Sequence, residues 1–296
     1  MKQIIRIMVM IFILIGHSVS TLYAQEMRVV YPQLSAEDSR LNDIIELLEA
    51  SLEVTVEKYG PYELLQSDDL MGEQRSVQEL IKNKNINLIW MSTSPEREKT
   101  LLPIRIPLRK GLLGYRIFVI NKNKQAIFSR IRDVSELKRL VLGQGHDWGD
   151  VKVYEAGGFE LETADKFTSL FKMVHKGRFD YFPLGVNEAP GEVESRVADL
   201  PDLSLEKELM LFYQWPYYFF VSRDNVKLAE RIQEGLEIMI KNGMFDQIFL
   251  KYHAATIEKA NMGQRRLFRL ENPLLPPETP FNNDKLWYDP LSITAQ

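Results

Sequence analysis

A chain of 296 residues, 45% hydrophobic and 26% charged, has a globular composition and room for one large domain or two lobes. Its 41 acidic residues against 37 basic ones give a formal charge of -4. That balance argues against nucleic-acid and anionic-membrane partners, which favour a basic surface. The sequence has no cysteine, which excludes disulfides, thiolate metal sites and lipid attachment through an N-terminal cysteine.

The first element in chain order concerns export. Lys2 and Arg6 flank the start of an apolar run, Ile7 to Ile15, and a small and polar stretch, Gly16 to Ala24, follows. Charged, apolar and small regions in that order are expected of a secretory signal peptide, residues 1–24, cleaved after Ala24 or, alternatively, after Ser20. The run is shorter than the roughly 20 apolar residues of a membrane span. Removal of the segment takes away Lys2 and Arg6 and no acid, moving the formal charge from -4 to -6. The expected product is a periplasmic protein, soluble and not lipidated.

Met27 to Tyr31 alternates as a β-branched strand that Pro32 ends. Leu41, Ile44, Ile45, Leu48 and Leu52 recur at helical spacing, and the helix is expected to stop near Gly60. Tyr62 to Leu65 reads as a strand, Val77, Leu80 and Ile81 as a helix face, and Ile86 to Trp90 as a further strand. Strand and helix in alternation point to a parallel sheet with crossover helices.

A second series opens with the strand Tyr115 to Ile120, and Asp133 with Glu136 forms a capping pair for a short helix. Leu140 to Gly143 reads as a buried strand ending in the Gly143-Gln144-Gly145 turn. Phe167, Leu170, Phe171 and Val174 line a helix, and Phe179 to Phe182 is the next strand. Beyond Tyr217 to Val221, Leu228, Ile232, Leu236 and Ile240 mark a long helix that Gly243 interrupts before a final helix, Phe245 to Tyr252. Pro273, Pro276, Pro277 and Pro280 forbid regular helix in the last thirty residues, whereas Leu274, Leu275, Trp287 and Tyr288 require cover. An extended tail packed on the body, 266–296, is expected.

Several of these segments match one family. Ile86 to Trp90, continued by Met91-Ser92-Thr93-Ser94-Pro95-Glu96-Arg97 and Leu102-Pro103-Ile104, resembles the family 3 (amino-acid type) periplasmic solute-binding proteins. Gly177-Arg178-Phe179-Asp180 and the pair of helices around Asn242-Gly243-Met244-Phe245-Asp246 are similar to further segments of that family. The Phe182-Pro183-Leu184-Gly185-Val186-Asn187-Glu188 stretch and the proline-rich tail match one branch of it. The resemblance implies an α/β fold of two lobes, each a mostly parallel mixed sheet flanked by helices, of the type II periplasmic-binding kind. Lobe one would comprise 25–108 plus 220–265 and lobe two 109–219 with the hinges. It implies capture of a small molecule between the lobes, for an ABC permease or for a sensor protein, by a monomer that needs no cofactor and no metal.

Ser94-Pro95-Glu96-Arg97 opens a helix on its own merits, with a capping serine, a proline at the first position and an acid near the positive end of the dipole. Free N–H groups at a helix start attract anions, and the planar guanidinium of Arg97 suits a carboxylate. The resemblance adds Ser92 as a ligand contact, completing a carboxylate clamp. Arg97 paired on the surface with Glu96 or Glu98 is the plainer alternative. In lobe two the resemblance places Gln144, His146, Asp147 and Trp148 opposite, next to Gly145, where the backbone can approach closely. The plainer reading there is a polar turn with Trp148 folded onto its lobe. Tyr31 and Trp90 are aromatic candidates for stacking on the ligand, and Asn187 is a polar one.

The sequence departs from the family at one position. Amino-acid binders carry an aspartate five residues after the Asp180 equivalent to hold the ligand's ammonium group, and this chain has Gly185. Asp147, Asn187 and Glu188 are candidate substitutes among which the sequence does not choose. A carboxylate without an adjacent amine is therefore as good an expectation as an α-amino acid.

Catalytic signatures are few. Ser169 and Lys172 have the spacing of penicillin-binding enzymes without the companion motifs, and Gly143-Gln144-Gly145 lacks the third glycine of a dinucleotide turn. His146, His175 and His253 show no metal-ligand spacing. A binding protein, not an enzyme, is expected. The alternatives are an exported enzyme of the same fold, similar to cyclohexadienyl dehydratase, with His146, Asp147 and Glu188 as acid or base, and a ligand-free accessory protein.

Overall fold

The computed structural model describes residues 26–34 and 41–290, so segment 1–24 lies outside the described residues. The first half runs β1 (Met27–Tyr31), α1 (Asn42–Glu53), β2 (Tyr62–Gln66), α2 (Glu73–Lys82), β3 (Leu88–Ser92), α3 (Pro95–Thr100) and β4 (Leu101–Ile104). Next come β5 (Tyr115–Asn121), β6 (Leu142–Gly145), α4 (Val151–Ala156), β7 (Leu161–Ala164), α5 (Phe167–His175) and β8 (Tyr181–Gly185). Then follow α6 (Ala189–Glu194), β9 (Leu203–Leu205), β10 (Leu209–Phe212), β11 (Tyr217–Ser222), α7 (Val226–Asn242), α8 (Met244–Ala260) and β12 (Arg266–Arg269).

Pairing divides these strands into two lobes. In the first, β1 and β2 pair in parallel, and β11 lies antiparallel between β3 and β4. The side chain of Asn87 joins the two small sheets, accepting from Val30 N at 2.8 Å and donating to Arg28 O at 2.7 Å. The second lobe is one sheet in the order β12-β10-β5-β8-β6-β7, with β9 paired to β5. The strand β11 brings the chain back to the first lobe, so the chain crosses between the lobes at 105–114 and 213–216.

The strands bury both faces, and the period of two assigns each side chain to its core. Along β5, Tyr115, Ile117 and Val119 enter one core and Phe118 and Ile120 the other. Likewise β10 sends Met210 and Phe212 one way and Leu209 and Leu211 the other. In the first lobe β11 divides Phe219 and Val221 from Tyr218 and Phe220. Sheets covered on both sides read as unbroken apolar runs, which is how these segments appear in the sequence.

Helices α1 and α7 close the first core through Ile44, Leu48 and Leu52 against Ile232, Leu236 and Met239. Their approach depends on Gly235, where an added Cβ would lie 2.1 Å from Ser51 O. Gly235→Ala is therefore expected to lower stability by about 2 kcal/mol, although alanine alone favours a helix by about 1 kcal/mol. An unchanged midpoint in urea unfolding, at constant slope, would refute the contact.

Some elements differ from the sequence reading. The strands expected at 86–90, 140–143 and 179–182 lie about two residues later, at β3, β6 and β8. Their limits are set by ladder partners (Ser92 opposite Tyr217, Gly145 beside Ala164, Gly185 opposite Arg116) and not by where hydrophobicity begins. Residues 266–269, read as the start of the tail, form the edge strand β12 in parallel with β10. Helix α8 starts in the first core, with Phe245 and Ile248, and ends in the second, with Ala260. Among the described residues no helix is long and apolar enough to cross a membrane.

Candidate functional site

On the first lobe, α3 begins as its sequence dictates. Ser94 Oγ accepts the N–H of Arg97 at 3.2 Å, and Pro95 occupies the first turn. Its anchorage is unusually thorough. Glu98 accepts from Thr93 Oγ1 at 2.6 Å and from Arg105, and Arg223 donates to the carbonyls of Glu98 and Lys99. This framework aims the guanidinium of Arg97, whose Nη1 donates to Ser92 O at 2.6 Å and to Ser92 Oγ at 2.8 Å. Its Nη2 meets the carboxylate of Glu73, at the start of α2, and the arginine side chain stays 29% exposed. Ser92 and Arg97 are thus brought together. The surface partner of Arg97 is Glu73, not Glu96 or Glu98.

The rings of Tyr31 and Trp90 meet at 5.7 Å and tilt by 51°. Tyr31 is buried and Trp90 half-buried, and both belong to the packing of the first core. Tyr217, opposite Ser92 in the ladder, has its ring 6.0 Å from the guanidinium of Arg109. Burial raises the pKa of this phenol, and the charges of Arg109, Glu73, Arg97 and Asp43 all act on it. Tyr217 thus stands between Ser92, its ladder partner, and the guanidinium of Arg109.

Arg109 belongs to a second group of charges, at the lobe boundary. Asp43, in the first turn of α1, accepts from Arg109 Nε at 2.6 Å and Nη2 at 2.8 Å, and lies 3.0 Å from His253 Nε2 of α8. Burial pushes the Asp43 carboxyl up, but the hydrogen bonds from Arg109 and His253 outweigh it and hold its pKa down to about 2. Asp43, Arg109 and His253 form one wall of a hollow of about 740 Å³. The facing wall is Trp148, Phe167, Asn187 and Glu188 from the second lobe.

The remaining expected residues divide. Trp148 and Asn187 line the hollow. The indole of Trp148 also lies over Gly145, where a Cβ would come 2.4 Å from Nε1, and packs on Phe167 and Phe182. Asn187 Oδ1 is buried without a hydrogen-bond partner. His146 and Asp147 stand out from the loop, with side chains 63% and 96% exposed. Gln144, expected to meet a ligand, is fully buried and donates to Asp150 Oδ1 at 3.0 Å. Asp150 also accepts from Tyr213 OH at 2.7 Å and pairs with Arg116 at 3.3 Å, so Gln144 belongs to a polar network inside the second lobe. Its strand face explains this: Gln144 follows Leu142 by two residues, and the side chain of Leu142 is in the second-lobe core that also holds Phe118 and Ile120.

Asp43, Arg109 and His253 were not candidates in the sequence. They are separated by 66 and 210 positions, and each has an ordinary local reading: a helix-start acid, a crossing-segment base, a helix residue. The arrangement as a whole offers a partly apolar hollow with the Asp43, Arg109 and His253 group on one wall and two acceptors, Asn187 and Glu188, on the other, whereas Ser92, Arg97, Tyr31 and Trp90 are not among the residues that line it. Among the described residues no group of His, Asp and Glu could hold a metal ion.

No protein-family model and no curated protein matches the chain. Solved structures do. A protein from Bacillus subtilis is 14% identical over 77% of this chain and 89% of its own, with a TM-score of 0.51. The second substrate-binding domain of a protein assigned as an amino acid ABC transporter, from Streptococcus pneumoniae, is 15% identical over 77% and 99%, with a TM-score of 0.50. A binding component assigned to an ABC transporter of Wolinella succinogenes, complexed with lysine, is 13% identical over 77% and 95%, with a TM-score of 0.50. Likeness at these identities establishes the fold, which is that of the two-lobed periplasmic binding proteins.

Proposed function

We propose that the chain is a solute-binding protein that captures a small carboxylate-bearing molecule between its lobes, for an ABC permease or a sensor. The observation that carries this reading is the hollow of about 740 Å³ walled by both lobes, with the oriented guanidinium of Arg97 beside Ser92, whose ladder partner Tyr217 packs on the Arg109 of the hollow's wall. Its size falls within the range of small-molecule sites. Strand pairing supports a first lobe of 26–104 with 217–242 and a second of 115–212 with 266–269, α8 running from one to the other, and the order of charged, apolar and small residues in 1–24 supports export to the periplasm.

Arg97 and Ser92 grip the acidic end of the ligand, which displaces the exposed Glu73 carboxylate from the fork. Asn187 and Glu188 serve the other end. A Cβ at Gly185 would lie 2.7 Å from Asn187 Oδ1 and 3.4 Å from Glu188 Oε2, so these two acceptors fill the space that a side chain at position 185 would take.

A thermal-shift screen against a metabolite library tests the proposal. A carboxylate at about 100 times its dissociation constant is expected to stabilise the protein by about 2.7 kcal/mol, and Arg97→Ala to abolish the shift. Equal stabilisation of both proteins would remove Arg97 from the site.

A second reading, an exported dehydratase of the same fold, draws support from the Asp43–His253 pair on the wall of the hollow, since a histidine oriented by a carboxylate is a general base in form. Turnover of cyclic carboxylic acids, lost in His253→Gln, would favour it over binding alone.

A further inference from the structure

Two crossing segments suffice for a hinged pair of lobes, and this chain adds further ties between them. After β12 it runs back over the crossings. Asn272 Nδ2 donates to Gln214 O in the second crossing at 2.9 Å, and Leu274 packs on a core of the second lobe. Leu286 is then buried in the core of the first lobe, and Tyr288 in that of the second. Between those anchors the segment closes on itself, Trp287 Nε1 donating to Pro280 O at 3.0 Å.

Its closest attachment is to the first crossing. The indole of Trp287 lies against Gly111, where an added Cβ would stand 2.5 Å from ring carbon Cε3. Tyr288 N donates to Lys110 O at 2.8 Å, and Tyr115 OH donates to Tyr288 O at 2.8 Å. Lys110 and Gly111 have φ of +48° and +69°, so this turn holds a left-handed conformation that a lysine adopts only under constraint. Hinge rotation is absorbed by φ and ψ changes in a few such residues. Here those residues are fastened by Trp287 over the glycine, by the Tyr288 N–H on Lys110 O, and by the Tyr115 hydroxyl, which holds Tyr288 O at the end of the crossing.

We propose that residues 270–288 are a brace that sets the angle between the lobes by holding both crossings at once. Rotation of either crossing would strip Lys110 O of the Tyr288 N–H or Gln214 O of the Asn272 amide, and would lift Trp287 from Gly111. Lobe movement is consequently coupled to release of the brace and is small while it is seated. This holds whatever the hollow binds, and whether or not it binds anything.

The absence of cysteine allows a clean test, since labels attach only where cysteines are introduced. Spin labels at Lys99→Cys on the first lobe and Glu155→Cys on the second, both exposed, report the distance between lobes. The labelled parent is expected to give one narrow distance distribution. Trp287→Ala is expected to broaden it and to lengthen the mean by roughly 5 Å, the arc of a rotation on the order of 15° over a domain radius. Should Trp287→Ala fail to fold by circular dichroism, Tyr115→Phe with Asn272→Ala, which removes three hydrogen bonds and little packing, decides in its place and is expected to broaden the distribution. A broad distribution in the parent, or one unchanged in the folded variants, would overturn the brace.

Discussion

Arg109→Ala is expected to lower the unfolding free energy by about 3–5 kcal/mol, the cost of stranding a buried carboxylate. The side chains of Arg109 and Asp43 are 10% and 4% exposed, and the guanidinium holds both carboxylate oxygens. Once it is gone, the carboxylate keeps His253 Nε2, 3.0 Å from Asp43 Oδ2, beside it in a buried wall. A double-mutant cycle with Asp43→Asn and urea unfolding measures the coupling. Independent effects of the two substitutions would show that the pair is not what holds α1 to the first crossing.

The same pair predicts the acid limb of stability. The folded pKa of Asp43, about 2, lies below the reference value of 3.8, so the unfolded chain binds the proton more readily. Its contribution is fully present above about pH 4 and is lost as pH falls through 4 towards 2. At about 1.4 kcal/mol per pKa unit it amounts to about 2 kcal/mol. Asp43→Asn should flatten this part of the stability curve between pH 5 and pH 2.5, and a parent-like slope in that variant would assign the limb to other carboxylates.

Arg231→Ala is expected to cost about 4 kcal/mol, from a large cavity and from the loss of its buried hydrogen bonds. The residue is fully buried, with its ring-stacking and hydrogen-bonding partners all in the first lobe. Nε donates to Thr55 Oγ1 at 3.1 Å, and Nη2 to the carbonyls of Leu52 at 3.1 Å and Gly60 at 2.9 Å. The guanidinium lies 5.8 Å and 5.3 Å from the ring centres of Tyr59 and Tyr62. Leu52 O, in the last turn of α1, also accepts from Thr55 N at 3.3 Å and Thr55 Oγ1 at 2.8 Å, so the arginine from α7 adds to a cap that Thr55 begins. Lysine reaches as far but offers one point charge instead of a fork, and Arg231→Lys is expected to recover less than half of the loss. Unfolding of Arg231→Ala within about 1 kcal/mol of the parent would disprove this capping role.

Where a property depends on neighbours a few residues away, the amino-acid order alone determined it. Ile44, Leu48 and Leu52 mark α1 by spacing, Ser94 and Pro95 open α3, and the alternation in Met27–Tyr31 makes β1, because each rests on backbone hydrogen bonding and side-chain direction inside one element. The pairing of Ser92 with Arg97 came from the family resemblance and not from local spacing, which offered Glu96 or Glu98 as the partner. Tertiary structure alone decided the long-range pairs: Asp43 with Arg109 and His253, Gln144 with Asp150 inside the lobe, Arg266–Arg269 beside β10, and Trp287 on Gly111. Charge and polarity declare that a group needs a partner without naming it. The choice among many distant partners is made only when packing brings one of them within reach and excludes water from the rest.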